Sequence, residues 1–226
     1  MVKSIYTDMF DNTIHIGHKT QKWNPLMKKY IYGEKQGMHI INLEKTLVMF
    51  ESALEYMQKC VSEGKTILFV STKPQSTALL KDLASTLNMP YVTNKWIPGL
   101  ITNFDSIKTR IKYYLNLKEQ DETGELTKYT KKEASKMRKE LEALETALGG
   151  VKDMTTLPDV VFVVDVVRDA IVVSEARKLR IPVVAFTDTN ADPTKITYPI
   201  PANDDSINSL TYLLGKIKET LSKKNK

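Results

Sequence analysis

The sequence predicts a doubly wound α/β domain with a helical hairpin inserted ahead of its strongest strand. Three observations lead there. Short apolar runs alternate along the chain with segments of helical period. Residues 160–164 (VVFVV) and 65–70 (KTILFV) are continuously apolar, as strands of a parallel sheet covered on both faces are. Residues 104–150 contain no strand signal at all.

The elements justify themselves in order. Leu47, Phe50, Leu54, Met57 and Val61 recur at three-four spacing and share one helical face. Residues 65–70 form a strand, and Pro74 opens a helix that turns Leu80, Leu83 and Leu87 to the core until Met89-Pro90 ends it. Tyr91-Val92 is a weak strand. In the inserted segment Phe104, Ile107, Ile111 and Tyr114 repeat at three and four, as do Met137, Leu141, Leu144 and Leu148, around a polar turn at 119–129. Thr130 and Glu133 have capping-box spacing. Each stripe is narrow, so the two helices are expected to pair as an antiparallel coiled coil, and Gly149-Gly150 turns the chain back. Strand 160–164, helix 171–179, strand 183–186, a short edge element at 198–200 and a helix with Ile207, Leu210, Leu214, Ile217 and Leu221 on one stripe complete the domain. Asn203 or Asp204 can cap that last helix. The lysine-rich end, 216–226, is expected to fray. Residues 1–103 and 151–226 are thus expected to form the globular domain and 104–150 the insertion.

Composition narrows the function. At 226 residues, 42% hydrophobic and 27% charged, the chain suits a globular protein with one good core. A net charge of +6 favours an acidic partner, nucleic acid first. Cys60 is the sole cysteine, so no internal disulfide forms and a reducing compartment is expected; on its apolar stretch it reads as a small core residue. No run approaches the roughly 20 apolar residues of a membrane span, and the first residues lack a signal-peptide core. The expected location is the cytoplasm, or an organelle that makes the protein itself.

The chemistry-bearing residues fall into three groups. Residues 17–46 read GHKTQKWNPLMKKYIYGEKQGMHIINLEKT: up to the apolar strand expected at 39–42, Lys19, Lys22, Lys28, Lys29 and Lys35 stand against Glu34 alone, with Trp23, Tyr30 and Tyr32 among them. Cations bind phosphate, aromatic faces stack on bases or sugars, and Pro25, Gly33 and Gly37 let a loop follow an irregular surface. Lys73 beyond a strand and Lys95-Trp96 in the following loop can touch phosphate or ribose; equally, the lysines can be solvated and Trp96 can seal the core. Lys131, Lys132, Lys136, Arg138 and Lys139 cluster in the second inserted helix, as RNA contacts or as a solvated face with i,i+4 pairs.

The third group is acidic. Asp165 and Asp188 follow strands, so both belong at the carboxyl edge of the sheet, where α/β ligands bind. Asp192, Asp204, Asp205 and His18 can join them, and such oxygens with an imidazole can hold a divalent ion or simply cap turns and helices. Phosphate-loop and dinucleotide fingerprints are absent, as is a serine-hydrolase elbow. A metal-dependent phosphotransfer or phosphohydrolase enzyme using Asp165 and Asp188 is the rival reading. A coiled-coil adaptor with no RNA role is a third.

These segments together resemble the bacterial branch of the small-subunit ribosomal protein S-two family, from about Asp8 to Leu221. Besides the basic arm, KWIPGLITNF (95–104), LGGVKDMTTLPDVVFVVD (148–165), IPVVAFTDTNADP (181–193) and IPANDDSI (200–207) match its motifs in register. The chain departs from it at Pro98, where the family carries glycine, at Ser71, and at Val166-Val167-Arg168-Asp169. The resemblance implies a flavodoxin-like doubly wound parallel sheet of about five strands with an antiparallel coiled-coil insertion. It implies a structural, non-catalytic part of the small ribosomal subunit that contacts rRNA and neighbouring ribosomal proteins, the S-one protein among them. The RNA-binding set is then Lys19, Lys22, Trp23, Lys28, Lys29, Tyr30, Lys35, Lys73, Lys95, Trp96, Lys131, Lys132 and Arg138. No cofactor is required, but some family members look able to hold zinc, and the matching positions here are His18, Asp188, Asp204 and Asp205.

Overall fold

A computed structural model describes residues 2–223; the extreme lysine-rich tail, 224–226, lies outside the described residues. Four apolar strands and one short edge strand build a parallel sheet: β4 (Ile67–Val70), β5 (Tyr91–Val92), β6 (Val160–Val163), β7 (Val183–Thr187) and β8 (Tyr198–Pro201). Their spatial order is β5-β4-β6-β7-β8 and every pairing is parallel. Numbered within the sheet this is 2-1-3-4-5, the flavodoxin-like order, so the sequence expectation of a five-stranded doubly wound sheet holds. β4, β6 and β7 are buried throughout, which is why they read as uninterrupted apolar runs.

Helices cover both faces. On one, Phe69, Phe162 and Phe186 of the sheet meet Phe50, Ala53 and Met57 of α2 (Leu43–Ser62), Leu80 and Leu83 of α3 (Pro74–Thr86), and the Leu210–Leu221 stripe of α7 (Ile207–Ser222). The three phenylalanines contact one another across β4, β6 and β7 at centroid distances of 5.6 and 5.3 Å. Helix α1 (Val2–Asp11), not anticipated from the sequence, seals this side with Met9. On the other face lie α4 (Phe104–Glu122), α5 (Lys131–Leu148) and α6 (Ala170–Lys178). The apolar stripes of α4 and α5 are continuous with the core beneath Val161, Val163 and Ala185.

α4 and α5 run antiparallel, since Asp121 pairs with Arg138 and Lys118 with Glu145. Thr130 and Glu133 form the expected capping box at the start of α5. Gly149-Gly150 does more than turn the chain. A Cβ on Gly150 would sit 2.2 Å from the Tyr91 carbonyl oxygen, so only glycine lets this segment lie over the edge strand β5.

The basic arm corrects an expectation. It is a small antiparallel sheet instead of a broken loop, in the order β1-β3-β2 (Ile16–Lys19, Met38–Ile41, Ile31–Lys35). Gln36 and Gly37, with φ of 54° and 75°, make the two-residue turn joining β2 to β3. The apolar run at 39–42 therefore belongs to this second sheet, as Met38–Ile41, and Asn42 caps α2, accepting from the Glu44 and Lys45 N–H groups.

Candidate functional site

The arm is held on the carboxyl edge of the parallel sheet at close range. Gly17 is so near Thr189 that a Cβ would lie 2.5 Å from its methyl carbon. The Thr189 hydroxyl accepts from the His18 N–H at 2.8 Å, and its carbonyl accepts from the Asn24 N–H at 2.8 Å. Trp23 then packs on His39, with centroids 5.0 Å apart. Main-chain bonds and a missing side chain thus set where the arm's cations point.

Beneath the arm lies a charge cluster drawn from separated stretches of chain. The Lys73 ammonium, at the start of α3, is 3.1 Å from Asp165 Oδ2, 2.7 Å from Asp204 Oδ1 and 2.7 Å from Asp205 Oδ1. Burial works against the charge on Lys73, but Asp204, Asp205 and Asp165 outweigh it and hold the ammonium above its ordinary value. Asp204 is pushed up to about 8, by burial first and then by Asp188 and Asp165. Asp205 carries the cluster outward, since its other oxygen lies 3.4 Å from His18 Nε2. His18 Nδ1 in turn is 3.1 Å from Asp188 Oδ1. Asp165 also accepts from the Val167 and Arg168 N–H groups, and Asp169 accepts from the Thr72 N–H and hydroxyl.

This arrangement corrects several expectations. Lys73 is 6% exposed and faces three carboxylates, so it has no side free for phosphate. Asp204 is turned to Lys73 and does not cap α7; Asn203 accepts from the Asp205 and Ser206 N–H groups in the turn just before it. Asp192, as expected of a turn residue, accepts from the Thr194 N–H. Of the four residues weighed for zinc, His18, Asp188 and Asp205 converge, with ligand atoms all within 4.8 Å of one another, whereas Asp204 stays with the ammonium. One imidazole nitrogen and two carboxylate oxygens are donors that zinc accepts.

The other basic and aromatic candidates separate by burial. Lys19, Lys22, Lys28, Lys29, Lys35 and Lys95 are exposed, as are Lys131, Lys132 and Arg138. Trp23 is half-buried. Tyr30 is 7% exposed and packs inward under the Lys29 ammonium, 4.8 Å from its ring centre, whereas Tyr32 is 79% exposed. The ring expected to stack on RNA is thus a core ring, and its neighbour two residues on is the open one. Arg138 is occupied by Asp121 at 3.0 Å. Ser71, fully buried, shares a hydrogen bond with Ser76 at 2.5 Å and therefore sits away from any outer surface.

Trp96 is buried and donates its indole N–H to Glu175 Oε1 at 2.9 Å. Glu175 also accepts from the Gly99, Ile101 and Thr102 N–H groups and the Thr102 hydroxyl. Burial raises this carboxyl, but those donors together bring it below the usual carboxylate range. The Gly99, Ile101 and Thr102 N–H groups of the tryptophan loop therefore close on an internal carboxylate, and Lys95 is the loop's exposed cation. Sequence reading missed Glu175, yet a signal was there: an acid on the same helical stripe as Val172 and Ala176.

Comparison with known proteins points to a ribosomal protein family. The family model described as Ribosomal protein S2 matches residues 9–223. The small ribosomal subunit protein uS2 of Dehalococcoides mccartyi (strain ATCC BAA-2266 / KCTC 15142 / 195) is 41% identical over 95% of the chain and 87% of its own length. The uS2 proteins of Campylobacter fetus subsp. fetus and Sulfurimonas denitrificans are 43% and 44% identical, each over 95% of the chain and 83% of their own.

The His18 contacts set a pH dependence. The Asp188 hydrogen bond raises His18 above the ordinary imidazole value, against the effect of burial, with help from Asp205 and Asp204. A raised folded value means that the stabilisation is complete below about pH 6.5 and fades as pH climbs through the folded value. Asp204 slopes the same way, so His18→Gln is expected to flatten the fall in unfolding free energy between about pH 6 and 8 only in part. Chemical denaturation across that range checks it; a curve unchanged by the substitution would show that His18 is uncoupled from folding.

Proposed function

The chain belongs to the ribosomal protein S2 family, and on that premise we propose that its arm grips small-subunit rRNA by phosphate neutralisation. It is a structural constituent of the small ribosomal subunit. The observation that carries the RNA reading is the outward presentation of Lys19, Lys22, Lys28, Lys29 and Lys35 from one folded arm, where no carboxylate among the described residues lies within ion-pairing distance of any of them. Unpaired cations on an ordered scaffold release counterions from RNA without first breaking an internal bond. Lys95 adds a further exposed charge from the tryptophan loop. The enzyme alternative draws no support from the site, because Asp165 is occupied by Lys73 and two backbone N–H groups.

Replacing Lys22, Lys28 and Lys29 together by alanine is expected to weaken association with small subunits that lack this protein. The log–log salt slope should flatten by about 0.7–0.9 for each phosphate no longer neutralised, or roughly 2–3 in total. An unchanged slope with undiminished subunit occupancy would sink the proposal.

A second reading rests on the convergence of His18, Asp188 and Asp205. These three would hold zinc between arm and body, where the ion would serve as a cross-link with no catalytic part. Protein stripped with EDTA should then gain thermal stability on adding zinc, by RT ln(1 + [Zn]/Kd), and His18→Ala should abolish that gain. No shift in the unsubstituted protein at any zinc concentration would rule the reading out.

A further inference from the structure

We infer that α5 carries a second, separate RNA-phosphate contact, a row formed by Lys132, Lys136 and Lys139. This rests on the ribosomal reading and extends it to a surface that the arm does not include. At 100° per residue the three side chains fall within an arc of about 60°, and at 1.5 Å rise they span roughly 10 Å of helix. A nucleic-acid strand offers a phosphate about every 3.4 Å of its axis, so flexible lysine stems along such a row can each reach one.

The bland alternative for such a helix is a solvated face laced by i,i+4 ion pairs. The structure gives α5 a different pattern. All three lysines are exposed, and none makes a hydrogen bond or ion pair among the described residues. The acids of α5 do not pair with them. Glu133 closes the capping box on Thr130 and Glu145 takes Lys118, while Glu140 makes no ion pair among the described residues. Arg138, one of the sequence candidates on this helix, is held by Asp121 instead. Glu142, at i+3 from Lys139, makes no ion pair with it among the described residues. One side of α5 is left positive over its first three turns, and the complementary partner is the backbone of an RNA helix.

The test uses the full chain and small subunits that lack it. Lys132→Ala, Lys136→Ala and Lys139→Ala combined are expected to flatten the log–log salt slope of association by about 2–3. Helix content should be unchanged by circular dichroism, because alanine is at least as good a helix former as lysine. The three arginine replacements should keep the slope, and Arg138→Gln should barely move it. Independently, Lys136→Cys carrying a thiol-linked photoreactive group, with buried Cys60 spared, should cross-link to rRNA in the assembled subunit. An unchanged slope, an equally large flattening in Arg138→Gln, or cross-linking to an acidic protein instead would overturn the assignment. The arm variant measured alongside separates the two outcomes: if its slope still flattens when that of the row variant does not, only the row is wrong.

Discussion

The structure depends on one buried ammonium. Lys73 lies among Asp165, Asp204 and Asp205, which come from the end of β6 and the turn before α7, so three distant stretches of chain meet at a single charge. Removing one partner from a buried ion cluster commonly costs about 3–5 kcal/mol, because the remaining charges stay desolvated and unpaired. Asp205 passes the constraint on: one oxygen faces Lys73 and the other faces His18, whose opposite ring nitrogen meets Asp188. The arm is thereby tied to the carboxyl edge of the sheet, the edge where most doubly wound domains place a ligand.

That tie explains how a protein of modest net charge presents a concentrated positive face. Inward-turned polar groups satisfy one another, Lys73 with its acids and Glu175 with the tryptophan loop, and on the surface Asp121 takes Arg138. What is left over points outward, and it is predominantly lysine on the arm and on one stripe of α5. An edge that gathers four carboxylates is offset in part from within by Lys73 and His18, so it opposes the field of the lysines above it less. Scaffold and positive surface are two consequences of the same sorting of charge.

How much of this was legible in the sequence depended on how local the cause was. β4, β6 and β7 announced themselves because both faces are buried, and the Thr130–Glu133 cap because it lies within four consecutive residues. The small sheet of the arm was hidden: its strands are four or five residues of mixed polarity, and its turn needs a left-handed glutamine, Gln36, that no turn rule singles out. Asp165 and Asp188 could be placed at strand ends, but the role of Lys73 could not. A lone lysine reads as solvated until acids 92 and 131 residues away are known to surround it. Tyr30 and Tyr32 show the same limit, since nothing in composition tells which ring of an aromatic pair two residues apart will be buried.

Amide hydrogen exchange on Lys73→Met tests most directly whether the buried cluster fixes the arm. If it does, amides of residues 16–41, those of His18 and Asn24 included, should lose protection together, while those of β6 and β7 exchange as slowly as before. Arm amides that stay as protected as in the unsubstituted protein would show that the ammonium does not hold the arm, and the link from cluster to binding surface would fail.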